Sequence, residues 1–90
     1  MATMVIRHPV ADFGSWRTVY DGDGATLRDA YGCTAQRVLR DASDPATILV
    51  LHDFPTLDAA RSFASDPNLK AAMDRAGVAG PPRIEFYEPA

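Results

Sequence analysis

Residues 34–54 read TAQRVLRDASDPATILVLHDF, and the way this stretch folds decides the architecture. Its ends, Thr34–Arg40 and Thr47–Phe54, are rich in β-branched and aliphatic residues. Its centre, Asp41-Ala42-Ser43-Asp44-Pro45, is a cluster of turn formers. The stretch therefore predicts two strands joined as a hairpin. The second strand does not alternate: Ile48 and Val50 hold one parity, Leu49 and Leu51 the other. Both of its faces call for apolar cover.

Upstream of the hairpin, Thr3–His8 reads as a strand ended by Pro9. Asp12 then offers an N-cap, and Phe13, Trp16 and Tyr20 share one helical face. Asp21-Gly22-Asp23-Gly24 interrupts the pattern, which Leu27, Ala30 and Tyr31 resume, so the first helix is expected to be kinked or broken at the glycines. Gly32 fits the position after its C-cap. Downstream, Thr56 caps a second helix with Leu57, Ala60, Phe63 and Ala64 on one face. Asp66-Pro67 restarts it, splitting it in two. Leu69, Ala72, Met73 and Ala76 continue at helical spacing to a stop at Gly77-Val78. Gly80-Pro81-Pro82 leads to a last strand, Arg83–Tyr87.

The order β-α-β-β-α-β predicts one α+β domain over residues 1–90, with a ferredoxin-like four-stranded antiparallel sheet and its helices on one face. The first and third strands are expected at the centre, running parallel. The first strand repeats the doubled hydrophobicity of the third, with Met4 and Ile6 on one side and Val5 on the other. The chain's own helices can cover only one face. A second copy, packed sheet to sheet, is the expected cover for the other.

The chain has 90 residues, 47% hydrophobic and 23% charged, with a formal net charge of −3. Nine basic side chains stand against twelve acidic ones, and neither half of the chain is basic. That argues against a nucleic-acid partner, which would need a basic stripe. The longest apolar run, Ile48–Leu51, is far too short for a membrane span. The N-terminus lacks an apolar signal core, so a cytoplasmic protein is expected. Cys33 is the single cysteine. With no histidine or basic neighbour in sequence, it reads as a small buried hydrophobe.

Candidate chemistry centres on two histidines. Met4-Ile6-His8 and Ile48-Val50-His52 each repeat at intervals of two, so both imidazoles can emerge on one sheet face. On parallel strands they would also share one end of it. Histidine titrates near neutrality and could move protons there as the acid or base. The ordinary alternative is a strand-end residue bonded to backbone for His8 and a packed side chain for His52. Trp16, Tyr20 and Tyr31 form an aromatic stripe that could wall a pocket or simply fill the core. Arg37, in the second strand, could hold an anion if it points into that pocket, and is otherwise solvated. Asp53 has the opposite parity to His52, which argues against an Asp–His dyad there. No metal is expected: Asp21-x-Asp23-Gly24 opens like a calcium loop, but Ala25 and Gly32 occupy ligand positions. No phosphate-cradling loop or nucleophile elbow is present.

His8-Pro9-Val10-Ala11-Asp12-Phe13-Gly14-Ser15-Trp16 has the form H-x-V-x-D-F-x-x-W and directly follows the first strand. With Asp58-Ala59-Ala60-Arg61-Ser62-Phe63 and Gly77-Val78-Ala79-Gly80-Pro81-Pro82, it resembles the antibiotic-biosynthesis monooxygenase-like domains of the dimeric α+β barrel superfamily. The resemblance covers nearly the whole chain. It implies two ferredoxin-like subunits packed sheet to sheet, each with a cleft between helices and sheet. It also implies cofactor-independent chemistry of monooxygenase, cyclase or isomerase type, a setting in natural-product biosynthesis, and a small apolar or aromatic metabolite as partner. The monooxygenase members use an asparagine with a tryptophan. Trp16 matches in kind, but the only asparagine, Asn68, begins a late helix. The alternative function is a non-catalytic binding or accessory dimer.

Overall fold

A computed structural model describes residues 1–90. Strand β1 (Ala2–Pro9) is followed by helices α1 (Phe13–Asp21) and α2 (Asp23–Ala30), then by β2 (Ala35–Arg40) and β3 (Thr47–Phe54). Helices α3 (Leu57–Ser65) and α4 (Pro67–Arg75) lead to β4 (Arg83–Tyr87). Both expected helices are thus divided, the first at Gly22 and the second at Asp66. Side chains start three of the four pieces: Asp12, Thr56 and Asp66 accept from the backbone N–H groups of Ser15, Ala59 and Asn68. These are the donors a helix N-terminus leaves unsatisfied. Two glycines stop helices in the left-handed region, Gly32 at φ 74° and Gly77 at φ 78°. Beyond each, an N–H turns back on the last helical turn, Cys33 to the Arg28 carbonyl and Val78 to that of Met73. That pattern needs a residue without a Cβ at the turning point.

The four strands form one sheet in the order β2-β3-β1-β4, with every pairing antiparallel. The first and third strands are central, as the sequence predicts, but the expectation that they run parallel is overturned. A helical crossover leaves β1 and β2 pointing the same way, and the hairpin then reverses β3. The register sets Met4 opposite His52, Ile6 opposite Val50, and His8 opposite Ile48. The two histidines therefore share a face but stand towards opposite ends of it.

All helices lie on that face. Its buried centre joins Ala2, Met4 and Ile6 of β1 and Ile48, Val50 and Phe54 of β3 to Trp16, Tyr20, Ala60 and Phe63 from the helices. The other face carries Val5, Leu39, Leu49 and Leu51 at its middle, each only partly buried. No helix is long and apolar enough to cross a membrane.

Candidate functional site

The pairing of β1 with β3 brings the inward side chains of both strands under α1, where the aromatic stripe covers them. A row of four rings results. His8 lies 6.0 Å from Trp16 between ring centres, Trp16 stacks on Tyr20 at 4.7 Å, and Tyr20 lies 5.9 Å from His52. Beneath the row, Met4, Ile6 and Val50 floor a cavity of about 50 Å³, which Phe63, Leu69 and Met73 help to close. That space suits a few water molecules and is well short of the roughly 300 Å³ at which ligand pockets begin. A second space of about 40 Å³ lies between α1 and α4 and shares Trp16, Tyr20, Gly24, Leu69 and Met73 with the first. Those five residues form the partition between the cavity and the groove outside it.

The histidines at the two ends differ in their partners. His8 Nδ1 lies 3.2 Å from the Pro9 carbonyl oxygen, to which only an N–H can donate. That fixes the proton on Nδ1 and leaves Nε2 as a lone pair with no bond to protein. Burial lowers the His8 pKa, opposed by the Pro9 bond, so the neutral ring prevails near pH 7. His52 is as buried as His8, each 3% exposed. Its pKa is pushed down to about 4, first by burial and then by the positive charge of Arg28. Its Nε2 meets the Tyr20 hydroxyl at 3.0 Å, while Nδ1 is buried with no partner at all. Tyr20 is pushed up to about 12 by burial and keeps its proton.

Arg28 completes the wall and was not a candidate from sequence. It is only 3% exposed. Its guanidinium lies 3.9 Å above the Tyr20 ring, and Nη1 donates to the Tyr20 carbonyl oxygen at 3.0 Å. It forms no ion pair. The available signal was Gly24, one helical turn earlier: a Cβ there would stand 3.1 Å from Arg28 Nη1. The glycine leaves the guanidinium its room.

The remaining sequence candidates fall outside the cavity. Arg37 pairs with Leu51, so it stands on the opposite face of the sheet and is exposed. The expectation that it might enter the cleft fails because its parity is that of Leu51, not His52. Tyr31 closes α2, packs edge-on against Phe63, and donates its hydroxyl to Asp66 at 2.6 Å, tying two helix ends together. Asn68 is exposed on the first turn of α4. Cys33 is partly buried, and burial raises its thiol pKa. No three His, Cys, Asp or Glu side chains stand close enough together to hold a metal ion.

No family model matches the chain, and no curated protein matches it. Solved structures do. A candidate antibiotic biosynthesis monooxygenase of Caulobacter crescentus superposes with a TM-score of 0.77 at 21% identity, over 99% of this chain and 89% of that one. SnoaB, a cofactor-independent oxygenase from Streptomyces nogalater, gives 0.77 at 14% identity over 99% and 92%. The Mycobacterium tuberculosis protein Rv0793 gives 0.72 at 12% identity over 99% and 94%. At such identities the likeness is one of fold. The chain has the ferredoxin-like α+β architecture of antibiotic biosynthesis monooxygenase-like proteins, the group that its H-x-V-x-D-F-x-x-W segment resembles.

Proposed function

We propose that the chain is a cofactor-independent enzyme that removes a proton from a small, flat, largely apolar molecule held between β1–β3 and α1–α2. The observation that carries this reading is His8: a neutral imidazole, its tautomer fixed by Pro9, offers an unpartnered Nε2 lone pair at the edge of an apolar cavity. A base of that kind takes a proton from an acidic C–H or O–H and leaves an enolate or phenolate. Such an anion is the common starting point for oxygenation, ring closure and isomerisation. At the other end the hydrogen-bonded His52–Tyr20 pair keeps one free donor, and Arg28, over the Tyr20 ring, supplies more. The assembly that works this way is a homodimer paired through the outer sheet face.

The ligand must displace part of the partition to enter. Met73 and Leu69, flexible side chains on α4, are the part of it that can give way.

A second reading is favoured by the small volume of the cavity. The protein's own aromatic side chains fill most of the cleft, which is how a structural or accessory dimer without a ligand would look. A thermal-shift screen of aromatic polyketides and quinones separates the two, followed by oxygen uptake on any hit. Stabilisation by a hit, turnover by the parent, and lost turnover with retained binding in His8→Gln are the expected results. Binding without turnover in the parent leaves a binding protein, and no stabilisation by any compound favours the accessory dimer.

A further inference from the structure

The charge balance of the chain points to a neutral guest, but the wall of the cavity does not. Arg28 brings a permanent positive charge into the interior with 3% exposure and no carboxylate beside it. Burying an unpaired charge is costly. The Tyr20 ring and carbonyl offset part of that cost through a cation–π contact and one hydrogen bond. Nη1 makes that bond, while Nε and Nη2 make none. Those two nitrogens form the side-on edge of the guanidinium, whose parallel N–H groups match the two oxygens of a carboxylate. On the other side of Tyr20, His52 Nδ1 is the one fully buried side-chain polar atom without a partner. An orphaned buried nitrogen and a guanidinium edge free of protein partners in one wall are unusual for a closed core, where nearly every buried polar atom is bonded.

We infer that Arg28 is the anchor for a carboxylate, and that the ligand is a flat apolar acid whose carboxylate sits at the Arg28–His52 end of the cavity and whose ring system runs along Trp16 towards His8. The inference rests on the reading of this cavity as a ligand site. It adds polarity and direction: one end recognises charge, the other holds the lone pair that can act on the ring. Lysine could not substitute fully, because a point charge lacks the two-pronged edge. Gly24 becomes part of the specificity, since a methyl group there pushes on Nη1.

The test uses a matched pair of probes, 2-naphthoate and 2-naphthamide, which differ in charge but scarcely in shape. Titration of the whole protein, followed by calorimetry and by ¹⁵N shifts of the His52 ring, is expected to show naphthoate bound about tenfold to a hundredfold more tightly. The His52 shifts should move with the acid and not with the amide. Arg28→Met should abolish the preference, Arg28→Lys should keep a part of it, and Gly24→Ala should weaken it. The last variant guards against a folding defect, because alanine favours a helix over glycine. Equal binding of acid and amide by the parent overturns the inference, as does a preference that survives in both Arg28→Met and Gly24→Ala, or the absence of any binding. Naphthoate preference together with failure of every turnover assay would overturn the enzyme reading and leave the anchor standing.

Discussion

His52 carries a consequence for stability that can be read at the level of one ring. Its pKa is about 4 in the folded chain against about 6.5 when unfolded. Between those values the unfolded chain binds more protons, so stability is full above about pH 6.5, declines as the pH falls, and levels off near pH 4. A displacement of that size corresponds to roughly 3 kcal/mol. His8 is lowered too and acts in the same direction. The carboxyls of Asp12, Asp41 and Asp66 are held below their usual range by hydrogen bonds, and their contributions are lost only at lower pH. Urea unfolding of the parent should therefore show a midpoint that falls between about pH 7 and about pH 5, and His52→Gln should flatten most of that slope. A flat parent profile would mean that His52 is not protected from protonation. The parity of Met4-Ile6-His8 and Ile48-Val50-His52 makes both imidazoles legible from sequence as inward side chains. Arg28 is not legible, because an arginine in an amphipathic helix ordinarily reads as a solvated residue. What buries it is the turn of α2 after Gly22 and the missing Cβ at Gly24, and neither states in sequence which way α2 will face.

The caps at the element level are unequal in what they hold. The Asp12 carboxylate accepts only from Ser15, through its N–H at 2.8 Å and its hydroxyl at 2.8 Å. Asp66 starts α4 through Asn68 and also receives the Tyr31 hydroxyl from the end of α2. Asp12→Ala should cost about 1 kcal/mol, the usual loss for an N-cap. Asp66→Ala should cost more than Asp12→Ala, because it also removes the acceptor of the Tyr31 hydroxyl. In a Tyr31→Phe background the Asp66→Ala cost should drop to that of a cap alone, and thermal or urea unfolding of the four proteins closes the cycle. Identical costs in the two backgrounds would show that Tyr31 adds nothing to the tie. Gly77→Ala should cost about 1 kcal/mol through the left-handed backbone it would force on alanine. The caps, the break at Gly22 and both helix stops are written in short local signals, and the chain obeys them. Strand direction is not local. The mutual direction of β1 and β3 follows from counting reversals along the whole connection, and it moves the two histidines from one end of the sheet to opposite ends. Face was readable from parity, and end was not.

The whole molecule presents one face that its own helices leave uncovered. Val5, Leu39, Leu49 and Leu51 occupy the middle of it, with Arg7, Arg37, Asp53 and Glu85 around them. Val5 and Arg37 flank Leu51 on the neighbouring strands. A second copy related by a two-fold axis would meet the same aliphatic centre and could pair the surrounding charges of opposite sign. On the proposed pairing, the doubled hydrophobicity of TILVLHDF is the sequence signal of an assembly rather than of a deeper core. Light scattering at micromolar concentration should give twice the 9.7 kDa of one chain. Leu51→Glu should bring it down to one chain, because the two-fold would set two carboxylates in an apolar interface where they could neither pair nor hydrate. Far-UV circular dichroism should be unchanged, since Leu51 points away from the core that forms the fold. The cavity lies on the opposite face from Leu51, so monomeric Leu51→Glu should still prefer naphthoate over naphthamide. Loss of the acid preference on dissociation would tie the site to the dimer. A monomeric parent would leave the outer face without its second copy, and the apolar parity of Val5, Leu49 and Leu51 would then need another partner.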